Sequence, residues 1–156
     1  MLMITMLLPF AGFQAFAQPN PNQLPPLVDR ELFFDNPEIA GSQLSPDGSF
    51  ISFTKPYNGV MNVWVKKLEE PFSAARPVTA DVARPVRSYF WSRDGKYILY
   101  VQDKGGDENF NIYAVNPAEK VADGAEVPVN RDLTNLKGVR VMIYSVPKSD
   151  PDLIYI

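Results

Sequence analysis

LSPDGSFISF at residues 44–53 is repeated as WSRDGKYILY at residues 91–100. Asp47 and Asp94 occupy the same place in the two copies, 47 residues apart. A repeat with a period in the forties is typical of β-propellers, whose blades are small antiparallel sheets of four strands. The sequence therefore predicts an all-β protein built from propeller blades.

The Ser-x-Asp-Gly part of each copy indicates a tight turn. Ser45, Pro46 and Gly48 have the order of a type I turn, because Pro fixes φ at the second position and Gly ends the turn. The residues that follow, at 50–53 and 97–100, are almost all apolar. Strands of this kind are covered on both faces, as the middle strands of a blade are.

Each copy is followed by the same parts in the same order. An apolar run that opens with Asn occupies residues 62–65 and 111–114, and an Arg-x-x-Thr end occupies residues 76–79 and 131–134. A single Ser-x-Asp-Gly copy would fit a hairpin turn in another β-sandwich equally well. Two copies with matching neighbours favour the propeller.

The repeat divides the chain into two four-stranded antiparallel blades and the start of a third. The third copy begins with Val139-Arg140, which echoes Val86-Arg87, and stops inside its second strand at 154–156, so we expect a truncated blade and a longer parent protein. The predicted segments are blade 1 at 39–80 with strands at 39–44, 50–54, 62–66 and 76–79, blade 2 at 81–135 with strands at 86–91, 97–102, 111–115 and 127–133, and the truncated blade 3 at 136–156.

The N-terminus is typical of an export signal. Residues 1–17 carry no charge and end in Ala-Phe-Ala, a signal-peptidase pattern that predicts cleavage after Ala17 and a periplasmic or secreted protein. The absence of a cation before Arg30 departs from the pattern. A membrane anchor or a buried helix is the alternative, but Pro9 and Gly12 interrupt the stretch, and we expect no stable membrane span after cleavage.

Residues 18–38 form a Pro-rich leader that ends in a short helical turn. Four prolines between residues 18 and 27 favour an extended tether. Asp29 is the expected N-cap of the turn, and Pro37 follows it.

The composition excludes several classes of function. The chain has a net charge of −3 and no basic run longer than Lys66-Lys67, so no nucleic-acid partner is expected. It has no Cys and no His. Disulfides, zinc sites of the usual kind and a Ser-His-Asp triad therefore cannot be assembled from its own residues.

Two serines have a lysine three residues later, the Ser-x-x-Lys spacing of some acyl enzymes. The pairs are Ser52 with Lys55 and Ser145 with Lys148. That spacing needs a helical turn, whereas both pairs lie in predicted strands, where residues three apart point to opposite faces. We interpret them as ordinary strand residues.

An acidic loop could in principle hold calcium. Asp103, Asp107, Glu108 and Asn109 surround a Gly-Gly pair, but the spacing is not that of an EF-hand. A solvated hairpin loop explains the same residues.

The two tryptophans, Trp64 and Trp91, either face a binding cleft or belong to the core, and their strand positions favour the core. No Gly-rich phosphate loop occurs. We predict no catalytic, cofactor-binding or metal-binding residue in this chain.

The repeats resemble the WD-like propeller repeats shared by TolB and the prolyl oligopeptidase family. The motifs at residues 30–34, 36–38, 89–98 and 106–111 narrow the resemblance to the N-terminal propeller of exported bacterial prolyl oligopeptidase-family serine peptidases, of the dipeptidyl aminopeptidase or acylaminoacyl-peptidase kind. The resemblance covers residues 28–156.

The resemblance implies a propeller that admits short peptides to a Ser-Asp-His triad, which that family carries in a following α/β-hydrolase domain. This chain contains no Gly-x-Ser-x-Gly elbow, so the catalytic residues and the peptide substrate would belong to a domain outside it. The alternative is a non-enzymatic periplasmic propeller of the TolB type that binds protein partners.

Overall fold

The structure, a computed structural model, describes residues 27–156. The predicted signal peptide at 1–17 and residues 18–26 of the Pro-rich leader lie outside the described residues. The chain divides into one unit that ends at Asp35 and a second from Asn36 to Ile156. No helix in residues 27–156 is long and apolar enough to cross a membrane.

The short helix α1, Glu31–Phe34, is fully exposed in its four residues. Its N-cap is Arg30, one residue later than expected, and the Arg30 side chain makes no capping hydrogen bond. Asp29 still contributes, because its carboxylate accepts the Glu31 backbone N–H at 3.1 Å. The expected cap residue therefore binds the helix start from one position further out.

Two four-stranded antiparallel sheets follow each other along the chain, as the repeat predicts. In each sheet the strands are hydrogen-bonded in sequence order. The first sheet comprises β1 Ala40–Leu44, β2 Phe50–Tyr57, β3 Val60–Lys67 and β4 Arg76–Pro77, and the second comprises β5 Tyr89–Trp91, β6 Ile98–Gln102, β7 Asn111–Val115 and β8 Asn130–Asp132. A short 3-10 turn, Phe72–Ala74, precedes β4.

The β2–β3 hairpin is longer than the sequence prediction, which ended β2 at residue 54 and began β3 at residue 62. Asn58 and Gly59 join the strands with φ values of 49° and 80°. Positive φ at both central residues is the geometry of a type I′ hairpin turn. Pro56 is tolerated in β2 because the pairing with β1 extends no further than Ala40 opposite Thr54, so the ladder on that side needs no N–H from Pro56.

Five strands are shorter than predicted, β1 and β6 by one residue each and β4, β5 and β8 by two or more. After β4 the chain stays bound to β3 without a regular ladder, since the Val78 N–H donates to the Val63 carbonyl at 2.8 Å. Before β5, the Val86 N–H donates to the Met61 carbonyl at 2.9 Å. Val86 is thus held by the first sheet and does not pair with β6 of the second.

The core lies between the two sheets. The Trp91 indole N–H crosses it and donates to the Ser52 hydroxyl at 2.8 Å, and the Gln43 amide donates to the Tyr89 carbonyl at 2.8 Å. Full burial of an apolar side chain such as Val or Ile stabilises the fold by roughly 1.5–3 kcal/mol through the hydrophobic effect. The buried cluster consists of Val63, Val65, Val78, Val86, Tyr89, Trp91, Ile98, Tyr100 and Val115.

Residues 136–156 contain one isolated antiparallel bridge, between Ser145 and Tyr155. The Val141 N–H donates to the Phe110 carbonyl at 2.9 Å, the same bond that Val86 makes to the residue before the Asn of the first sheet. Val141, and not Val139, therefore corresponds to Val86, and the alignment read from the sequence was wrong by two residues. The start of a third blade stays a prediction.

Candidate functional site

The Ser-x-Asp-Gly turns are held by the same bonds in both sheets. The Ser45 hydroxyl donates to the Asp47 carboxylate at 2.5 Å and accepts the Phe50 N–H at 2.9 Å. The corresponding distances around Ser92 are 2.6 Å to Asp94 and 2.9 Å from the Tyr97 N–H. Each serine thus links the turn to the strand that follows, and the motif has a structural role.

These bonds stabilise the ionised carboxylates. Hydrogen bonds from Ser45 and Ser49 lower the pKa of Asp47 to about 2. The Ser92 hydroxyl likewise lowers the pKa of Asp94. Neither carboxylate is therefore suited to act as a general acid or base near neutral pH.

A second repeated network joins the Asn of each third strand to the Thr of each Arg-x-x-Thr end. In the first sheet the Thr79 hydroxyl donates to the Asn62 amide oxygen at 2.8 Å and accepts the Val63 N–H at 2.9 Å. In the second sheet Thr134 donates to Asn111 at 2.8 Å. Asn62, Thr79 and Asn111 are buried, and their hydrogen bonds are made within the protein, so these residues have a structural role.

Neither Ser-x-x-Lys pair is brought together. Ser52 is fully buried and accepts the Trp91 indole N–H, whereas the Lys55 ammonium lies 5.3 Å from the Trp64 ring on the opposite face of β2. Ser145 lies in the bridge with Tyr155, and Lys148 is exposed. No hydrogen bond joins the serine and the lysine of either pair in the described part of the chain.

The two tryptophans differ in environment. Trp91 is buried in the core between the sheets, as its strand position predicts. Trp64 is only partly buried, and its indole N–H donates to the Lys55 carbonyl at 3.1 Å.

The acidic loop at residues 103–110 is organised by its own carboxylates. Asp107 accepts the Asn109 backbone N–H at 3.0 Å and the Asn109 side-chain amide at 3.2 Å. The Glu108 N–H donates to the buried carboxylate of Asp103 at 3.3 Å. Within residues 27–156, no group of three His, Cys, Asp or Glu side chains could hold a metal ion.

A cleft of about 300 Å³ opens between this loop, the segment before β5 and the segment around Val141. We call it the arginine cleft, because three of its lining residues are arginines. Its walls are formed by Arg84, Pro85, Arg87, Ser88, Val101, Gln102, Asp103, Phe110, Arg140, Val141, Met142 and Ile143.

The three arginines differ in how they are held. The Arg84 Nε lies 3.4 Å from the Asp103 carboxylate, whose side chain is 2% exposed. The Arg140 guanidinium carbon lies 4.9 Å from the centre of the Phe110 ring, in a cation–π contact. Arg87 is exposed and forms no hydrogen bond or ion pair with another described residue.

The residues that line the cleft therefore carry more positive than negative charge, although the chain as a whole has a net charge of −3. Three arginines and one carboxylate residue, Asp103, line it. The sequence analysis missed this site, because Arg140 is more than 50 residues away from Arg84 and Arg87 in the chain.

No family model matches the sequence. Over 90 residues, 58% of this chain, it is 49% identical to dipeptidyl aminopeptidase BIII of Pseudoxanthomonas mexicana. Over 91 residues, again 58% of the chain, it is 34% identical to dipeptidyl peptidase family member 6 of Caenorhabditis elegans.

These relatives are dipeptidyl aminopeptidase-family peptidases. The matched segment spans 13% of the bacterial relative and 12% of the nematode one. The similarity is thus to a small part of each peptidase.

Proposed function

We propose that this chain is the N-terminal propeller region of an exported serine peptidase that acts on short peptides. The observation that carries the proposal is the 49% identity to part of a bacterial dipeptidyl aminopeptidase. The all-β architecture fits this role, since two successive four-stranded antiparallel sheets are what consecutive blades provide.

The repeated hydrogen bonds support the assignment of the sheets as blades. The turn network of Ser45 recurs at Ser92, and the Asn62–Thr79 network recurs at Asn111–Thr134. A fold built from repeats buries its apolar faces only by stacking neighbours. The buried cluster between the two sheets has this character.

In this proposal the propeller admits short peptides and excludes folded proteins from a catalytic domain outside the chain. The chain has no histidine, so a Ser-Asp-His triad needs residues from elsewhere in the protein. The export signal at residues 1–17 would direct the protein to the periplasm or the medium.

The proposal is tested on the product of the longest open reading frame that contains this chain. We expect it to release 4-nitroaniline from a dipeptidyl 4-nitroanilide and to react with a serine-directed fluorophosphonate probe. The same substrate with a blocked N-terminus serves as the matched control, because a dipeptidyl aminopeptidase needs a free amino group.

The 156-residue chain alone should show neither reaction. Labelling of Ser52 or Ser145 in that chain would contradict the proposal. An inert longest product that contains further repeats and captures proteins would instead favour a binding module of the TolB type.

A further inference from the structure

We propose that the arginine cleft binds a peptide carboxylate, either a C-terminal carboxylate or an acidic side chain. The site rests on the geometry of Arg84, Arg87 and Arg140 around one cavity. The inference that the carboxylate belongs to a peptide rests on the proposed function. Guanidinium groups bind carboxylates through paired, charge-assisted hydrogen bonds.

Two of the arginines are held in place without losing all their donors. The Asp103 carboxylate contacts only the Nε of Arg84, and the Arg84 side chain remains 34% exposed. Gly106 lies close to the same guanidinium, since a Cβ added there would be 3.8 Å from the Arg84 Nη1. The contact with Asp103 therefore places the Arg84 guanidinium at the cleft wall.

Arg140 is positioned by an aromatic ring. Its guanidinium carbon lies 4.9 Å from the centre of the Phe110 ring, and its N–H groups form no hydrogen bond with another described residue. Arg87 has no partner among the described residues and supplies the third cation. A carboxylate in the cleft would therefore meet donors from two separate segments of the chain, one with Arg84 and Arg87 and one with Arg140.

The shape of the cleft favours a peptide over a nucleic acid. Its volume of about 300 Å³ is at the lower end of the range for small-ligand pockets, which is enough for one or two residues. Val101, Val141 and Ile143 line it beside the arginines. Apolar walls strengthen the attraction between a guanidinium and a carboxylate because they lower the local dielectric constant.

The experiment is a calorimetric titration of the 156-residue chain with three N-acetylated peptides. The first is Ala-Leu with a free C-terminus, the second is Ala-Leu amide, and the third is Ala-Glu amide. We expect the first or the third, or both, to bind at least about tenfold more tightly than Ala-Leu amide, and their affinity to fall with added salt. The first and third peptides distinguish the two sources of the carboxylate.

Variants locate the binding site. Arg87→Gln and Arg140→Gln should each weaken carboxylate binding by about tenfold, because each removes a charge-assisted hydrogen bond. Arg30→Gln, which removes an exposed arginine outside the cleft, should leave binding unchanged. Arg87→Lys keeps the charge and should retain part of the affinity, which separates loss of the ligand contact from loss of the fold.

Equal affinity for Ala-Leu amide, no binding of any of the three peptides, or equal loss in Arg30→Gln would overturn the proposal. Binding of inorganic phosphate as tight as that of the peptides would also overturn it, since the cleft would then be a general anion site. The test does not depend on catalysis. If the longest product of the gene shows no peptidase activity but carboxylate binding is intact, the peptidase proposal is wrong and the binding proposal for the cleft stands.

Discussion

The two sheets share their hydrogen-bonded side chains and differ in their loops. In the first sheet, Asn58 and Gly59 alone connect β2 to β3, whereas in the second sheet residues 103–110 connect β6 to β7. The turn serines and the buried asparagines keep the same partners in both sheets. The longer loop borders the arginine cleft. The two sheets thus share the hydrogen bonds of the repeat, and the cleft lies beside the second sheet, where the loop is longer.

The sheets also differ in how tightly the shared asparagine is enclosed. Asn62 is 0% exposed and Asn111 is 5% exposed. Asn62 donates to the Val60 and Asp81 carbonyls at 3.0 and 2.8 Å, while Asn111 donates to the Asn109 and Leu136 carbonyls at 3.5 and 3.1 Å. The hydrogen bonds donated by Asn62 are therefore shorter than those donated by Asn111, and Asn62 is the less exposed of the two residues.

The largest predicted effect follows from that difference. Asn62→Ala should lower the free energy of unfolding by about 3 kcal/mol, because it removes the acceptor of the Thr79 O–H and leaves backbone groups of Val60 and Asp81 without partners. Asn111→Ala should cost about 2 kcal/mol. Urea denaturation of the two variants measures both values. An equal or reversed order would show that the two networks are not ranked by burial.

A smaller effect is predicted for the bond that joins the sheets. Trp91→Phe and Ser52→Ala each remove the indole–hydroxyl bond and should each lower the free energy of unfolding by about 1–2 kcal/mol. The double variant should cost less than the sum, with a coupling energy of about 1 kcal/mol.

A strictly additive double variant would mean that the bond contributes nothing. Pairing Trp91→Phe with Ser145→Ala, which lies outside that bond, provides the additive control.

The smallest effect concerns acid stability. The pKa of Asp47 is lowered to about 2 by bonds from Ser45 and Ser49, and the unperturbed value is 3.8. A lowered pKa contributes stability above the unfolded value, and this is lost as pH falls through the folded value. The melting temperature of wild type should therefore fall more steeply than that of Asp47→Asn between about pH 5 and pH 2.

The exposed Asp150→Asn is the matched control for that series. It should follow the wild-type curve. Parallel curves for wild type and Asp47→Asn would contradict the assigned role of the turn hydrogen bonds.

The fold was largely predictable because its signals are local and repeated. Ser-x-Asp-Gly fixes each hairpin through contacts within five residues, and β7 is found at the predicted bounds, Asn111–Val115. The extent of the β2–β3 hairpin was missed although Asn58-Gly59 is a strong hairpin signal. Pro56 obscured it, since proline is rare inside a strand unless, as here, the pairing with the adjacent strand has ended.

Strand starts that depend on contacts between the sheets were not predictable. β5 begins at Tyr89 because Val86 is bound to Met61 of the other sheet, and no local pattern encodes that bond. The arginine cleft was missed for the same reason. Arg84 and Arg140 come together only through the packing of segments that are distant in the chain.

The central claim is that the two sheets are consecutive blades of a peptidase propeller. A crystal structure of the longest product of the gene tests it most directly. We predict that the Ser145–Tyr155 bridge becomes the first hairpin of a third four-stranded sheet, stacked on the second within a closed ring beside a hydrolase domain. A structure in which the two sheets form a two-layer sandwich, with no further sheet against the second, would contradict the claim.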